Sequence, residues 1–144
     1  MPSDDPLLPT PPFDRVHDVD AEQPGRPVVR LLNLIVSECV LSGSERIRLG
    51  PEPDDKGMPI RFGRGDDWRH VMTVPLPAHA QLVNRVKVMA NLDITRHVTQ
   101  RGELHIRLRE VERVFHVLVT PGAAGVEEVL LTLADSARPS GTAA

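Results

Sequence analysis

Residues 103–109 read Glu-Leu-His-Ile-Arg-Leu-Arg, so Leu104, Ile106 and Leu108 alternate strictly with His105, Arg107 and Arg109. A period of two segregates these residues only on an extended strand, with one face apolar and the other polar. The following run, 113–120, is apolar at both parities: Phe115, Val117 and Val119 on one, Val114 and Leu118 on the other. That pattern predicts a central strand covered on both sides. If the two runs form a hairpin turning at Val111 and Glu112, His116 falls opposite Arg107 and His105 opposite Leu118. Residues 45–49 (Ile47 and Leu49 inward), 59–62 (Ile60 and Phe62 inward), 68–74 and 128–133 add four further strands.

Two segments carry the helical period instead. Pro27 suits a first helical turn, and Gly43 suits the left-handed position that ends a helix. Between them Val28, Leu31, Leu32, Ile35, Cys39 and Val40 form a wide apolar face. A second helix is predicted over 77–91, with Leu82, Val83, Val86, Met89 and Ala90 inward. The order helix, three strands, helix, three strands predicts an α+β fold: a mixed or antiparallel sheet of about six strands flanked by two main helices.

Seven of the fourteen prolines lie within the first 27 residues. Up to Gly25 that stretch holds six acids against one base, Arg15, a balance of −5 in a chain whose total is −3. Too little apolar surface is available there to offset the entropy of ordering. Residues 1–26 are therefore expected to be a disordered, Pro-rich acidic arm, 27–134 the folded domain, and 135–144 a disordered tail.

Composition excludes several function classes. A total of −3 gives no bulk attraction for nucleic acid, and aromatic content of 3% is too low for stacking bases on a row of rings. One cysteine, Cys39, excludes an intramolecular disulfide and the usual Cys-based zinc sites. The apolar stretch around 28–41 is interrupted by Arg30, Asn33, Ser37 and Glu38 and is shorter than a membrane span. With no secretory leader pattern either, a cytoplasmic location without direct membrane insertion is expected. The phosphate-cradling pattern G-x-x-x-x-G-K-[ST] is absent, as are H-E-x-x-H and G-x-S-x-G. No catalytic residue, metal site or cofactor is expected. Asp54–Asp55 and Asp66–Asp67 fall in predicted turns, where aspartate is favoured for geometry. The distinctive surface feature is basic: Arg46, Arg48, Arg61, Arg64 and Arg69 should project from the polar face of the first three strands, as a docking surface for an acidic partner, an anion or the chain's own acidic arm.

The second helix carries a more specific signal. Asn84-Arg85-Val86-Lys87-Val88-Met89-Ala90-Asn91-Leu92-Asp93-Ile94 resembles the R-[IV]-K-V-M-A-[NG]-L-D-I segment of the secretion ATPases of type II secretion and type IV pilus assembly. In those proteins it lies in the domain before the RecA-like motor. Residues 27–44 resemble that domain's opening helix, 60–71 its I-R-Y-R-I-D-G-x-L-R-x-V strand pair, and 117–133 its closing V-S-T-x-P-T-x-x-G-E-K-x-V-L-R-L-L. The resemblance implies a mixed-sheet, PAS-like module. Departures from the pattern are concentrated in polar positions. The family's S-D-I-H-I-E-P reads Glu45-Arg46-Ile47-Arg48-Leu49-Gly50-Pro51, and P-Q-D-G-R reads Thr99-Gln100-Arg101-Gly102-Glu103. His116 replaces the arginine of L-R-V-S-T, and Leu131 that of V-L-R-L-L. In the family, arginines of this domain are understood to reach nucleotide phosphates held by the motor.

The resemblance thus implies a free-standing, non-catalytic adaptor or regulator that binds a protein component of a secretion or pilus machine, a motor ATPase among the candidates. Two alternatives follow from the same residues. One is a subunit of a split ATPase in which Arg101 or Arg96 supplies the phosphate contact. The other is a sensor-like module that binds a small anionic ligand through the arginine-rich strand face.

Overall fold

The computed structural model of the 144-residue chain describes residues 16–19, 26–50 and 57–134. Its elements in chain order are β1 (His17–Asp18), α1 (Pro27–Leu41), β2 (Arg46–Leu49), β3 (Met58–Arg64), β4 (Asp67–Val74), α2 (Leu76–Met89), β5 (Gln100–Leu108), β6 (Val111–Pro121), a single 3₁₀ turn (Ala123–Gly125) and β7 (Glu127–Leu133). Among the described residues seven strands form one sheet in the order β1-β5-β6-β7-β2-β3-β4. Only β1 runs parallel to its neighbour; every other pair is antiparallel. The α+β class and mixed sheet agree with the sequence reading.

The seventh strand is β1, inside the segment expected to be a disordered arm. His17 pairs with Ile106, Asp18 with Arg107, and the Val19 amide donates to the Arg107 carbonyl at 3.0 Å. Val19 is buried against the core. At residues 16–19 the expected arm is therefore ordered. Residues 1–15 and 20–25, the tail 135–144, and the turn 51–56 with Asp54 and Asp55 lie outside the described residues.

Both helices pack on one face of the sheet, α1 against α2 and β2, and α2 against β5 and β7. The strand period assigns every second residue to that face: Ile47, Leu49, Phe62, Leu104, Ile106, Phe115, Val117, Val129 and Leu131 are all buried. Large aliphatic and aromatic side chains of this kind each contribute roughly 1.5–3 kcal/mol when fully buried. On α1 the buried stripe runs through Val29, Leu32, Asn33, Ile35, Val36 and Cys39. Val28, Leu31 and Val40, expected on the apolar face, are only partly buried against the core. Pro27 begins α1, and Gly43 (φ +80°) follows its C-cap, as the helix signals required.

The β5–β6 hairpin differs from the expected register. Its turn is Arg109-Glu110, both at positive φ (52° and 66°), which a two-residue type I′ hairpin turn requires. Glu103 therefore faces His116, and His105 faces Val114. The second face of β6 is also not covered by a helix: Val114 and Leu118 are half-buried and His116 is exposed. The apolar residues at both parities reflect a central position in the sheet rather than two covering layers.

Candidate functional site

Among the described residues the face of the sheet opposite the helices is open. Alternation along β2 and the pairings Arg46↔Gly63 and Arg48↔Arg61 bring Arg46, Arg48 and Arg61 onto it together. Gly63 also pairs with Trp68 of β4. A Cβ on Gly63 would meet the Trp68 ring at 2.9 Å and an Arg46 guanidinium nitrogen at 3.1 Å. The missing side chain lets the indole lie across β3 towards β2. There the Arg46 and Arg48 guanidiniums both stand 4.6 Å from the Trp68 ring centroid, within cation–π range. The Arg46 guanidinium also donates to the Gly65 carbonyl.

Arg64 and Arg69 do not join this group, contrary to the expectation of five arginines on one polar face. Arg69 pairs with Phe62 and so points to the helix side, its guanidinium 5.6 Å from the Phe62 ring. From there it opposes, in part, the burial that pushes the Cys39 thiol up to about 12. Arg64 lies beside the C-terminal end of α1, where a Cβ on Gly43 would meet its guanidinium at 3.6 Å. A cation is favoured at that end of a helix, and the last turn of α1 has no basic residue of its own.

On the other half of the open face, on β5 and β6, carboxylates lie among the basic side chains. Glu103 accepts from His105 (3.2 Å) and lies 3.8 Å from His116, and Arg107 pairs with Glu112 at 3.1 Å. A metal site at these histidines would thus have a carboxylate neighbour, not the cation expected from the sequence. Even so, no cluster of three or more His, Cys, Asp or Glu residues suited to a metal ion occurs among the described residues. Between the two halves Arg101, His116, Leu118, Leu130 and Thr132 line a shallow depression of about 310 Å³.

The sequence reading missed a buried polar cluster behind the sheet. Lys87, fully buried on α2, holds the Glu127 carboxylate at 2.9 Å and donates to the Arg96 carbonyl at 3.1 Å. His79, also buried, bonds the Glu127 carbonyl through Nε2 at 2.6 Å, and His97 Nδ1 lies 3.5 Å from the Glu127 carboxylate. The cluster ties the end of α2 and the 91–98 loop to the start of β7. In that loop the Thr95 hydroxyl and amide hold the Asp93 carboxyl below the usual range.

Residues 21–140, which include every element from α1 to β7, match the family described as Type II/IV secretion system protein. The chain belongs to that family. It is 33% identical over 119 residues to the type II secretion system protein E of Pseudomonas aeruginosa, covering 82% of this chain and 23% of that protein. To the type IV pilus assembly ATPase PilB of Myxococcus xanthus it is 33% identical over 113 residues, 76% of this chain and 19% of the relative. To PilB of Pseudomonas aeruginosa it is 30% identical over 121 residues, 83% of this chain and 21% of the relative. The chain thus spans about a fifth of the length of these curated relatives.

Within this secretion-system domain the structure re-places one of the departures from the family pattern. Leu131, set against the arginine of V-L-R-L-L, is fully buried beneath the helices. The open-face position beside it is Thr132, between His116 on β6 and Arg46 on β2. Glu103, His116 and Thr132 therefore occupy one patch, and none of the three brings a fixed positive charge. Among the described residues no helix is long and apolar enough to cross a membrane.

Proposed function

We propose that this domain is a non-catalytic docking module that binds a protein component of a type II secretion or type IV pilus machine through the open face of its sheet. The observation that carries this reading is the electrostatics of that face. At two positions where the resemblance assigns phosphate-reaching arginines, the patch presents Glu103 and His116, and a carboxylate there repels a triphosphate. Positions where the family pattern has Asp and His instead carry Arg46 and Arg48. The core that holds the sheet is retained and its exposed chemistry differs, which suits a change of partner. The domain is PAS-like in this reading, and its docking partner is a cytoplasmic-side component of the machine, the motor ATPase first among them.

The test combines the purified protein with the isolated motor domain of a type II secretion ATPase. Association by sedimentation, with no ATP hydrolysis by the protein alone and unchanged motor turnover, is the expected result. Hydrolysis by this protein alone, or failure to associate with the motor and with each cytoplasmic component of the machine in turn, overturns the reading. One observation favours a second reading. Arg101 stands at the rim of the depression beside His116 and could reach a phosphate held by a separate motor chain. That split-enzyme reading predicts a rise in motor turnover that Arg101→Ala removes.

A further inference from the structure

We infer that the Arg46–Trp68–Arg48 stack, with Arg61 beside it, is the anchor for an extended acidic segment of a protein partner, a reading that rests on the docking role proposed above. Arg48 and Arg61 are direct cross-strand partners. Like charges placed opposite each other destabilise a sheet. Arg46 adds a third guanidinium two residues along the same face of β2. Among the described residues no carboxylate pairs with any of the three. Elsewhere on the same face the chain supplies its own counter-charges, Glu112 for Arg107 and Glu103 for His105 and His116. Three guanidiniums are thus clustered at one place without a carboxylate partner among the described residues, at a cost to the isolated fold.

Trp68 organises that charge. Its ring rests over Gly63 and stacks on two guanidiniums, which holds their planes and leaves N–H groups at the rims for bidentate carboxylates. Arg46 and Arg48 repeat every second residue of a strand, a spacing of roughly 6.7 Å. An extended peptide laid along β2 presents its own side chains at that interval, so acids at every second position meet both arginines while a third reaches Arg61. A long polyanion is a poorer fit, because beyond this patch the same face carries the Glu103 and Glu112 carboxylates.

The protein's one tryptophan lies in the proposed anchor, so its emission reports occupancy. The full chain is titrated with a synthetic peptide of alternating threonine and glutamate, and separately with a threonine–lysine peptide, inorganic phosphate and a single-stranded oligonucleotide. The glutamate peptide is expected to change Trp68 emission saturably, with the other three giving no comparable change. Arg46→Gln and Arg48→Gln should each weaken it about tenfold. Arg61→Gln should weaken it similarly while raising Tm, since it removes the like-charge pair; a merely structural arginine would lower Tm. The inference is overturned if the glutamate peptide gives no saturable signal, if phosphate or the oligonucleotide binds more tightly, or if the folded arginine variants bind as the parent does. Motor association that persists in all three variants overturns the anchor and leaves the docking role intact. Peptide binding without association with any machine component overturns the docking role alone.

Discussion

The Lys87–Glu127 pair gives the sharpest test of how this domain is held together. Lys87→Met keeps the length and apolar stem of the side chain and removes its charge. It strands the Glu127 carboxylate, whose side chain is 6% exposed and whose remaining ionic neighbour is the largely exposed His97 at 3.5 Å. Removing one member of a buried ion pair costs about 3–5 kcal/mol. In a domain of this size each kcal/mol shifts Tm by roughly 4–8 °C, so Tm should fall by at least about 12 °C. The double variant Lys87→Met/Glu127→Leu leaves no buried charge and should recover most of that loss. Urea unfolding followed by circular dichroism supplies the free energies. Hydrogen exchange supplies a local check, because the ammonium also holds the Arg96 carbonyl, and the 91–98 loop should lose protection in both variants. A single-variant loss below about 1 kcal/mol, or a double variant that loses the sum of the two singles, would refute the reasoning.

Three further outcomes follow from local geometry. Gly63→Val should push the Trp68 ring off β3, shift its emission to the red and cost about 1–3 kcal/mol, and an unchanged spectrum would contradict the placement of the indole. Glu110→Gly should stabilise the β5–β6 turn by about 1 kcal/mol, because Glu110 holds φ +66°; a lower Tm would count against the turn geometry. The Cys39 thiol should resist a thiol reagent at pH 8 in the native protein and react once urea unfolds the chain. Its pKa is pushed up to about 12 from an ordinary 9.0, so the folded thiol keeps its proton while the unfolded one ionises. Stability is then fully present below pH 9 and declines as pH rises from 9 towards 12, a slope that Cys39→Ala should flatten.

The elements with clean periodicity were legible in the sequence. Val86, Met89 and Leu82 mark the buried side of α2, and the Leu104-Ile106-Leu108 alternation marks β5, because burial against one layer imposes a single repeat. What was not legible depended on partners far along the chain. β1 has two residues between Val16 and Val19, too few to show a period, and exists because β5 offers an unpaired edge. The β5–β6 turn lies at Arg109-Glu110 with neither glycine nor asparagine to mark it, so the expected register slipped. Arg69 was assigned to the open face together with the other arginines of the first three strands. The register with β3 reverses that, placing Trp68 over Gly63 and Arg69 over Phe62. Lys87 was not among the inward residues expected of the second helix, and its burial depends on Glu127, forty positions away, and on the Arg96 carbonyl.

A sheet that carries both helices on one side divides its sequence into two nearly independent texts. Odd and even residues of the same strand answer to different demands, so the exposed set can be rewritten without retraining the fold. Arg46 and Arg48 stand between Ile47 and Leu49, which never leave the interior. A lineage that keeps the second pair and edits the first can acquire a new binding habit in a few substitutions while Ile47 and Leu49 stay packed.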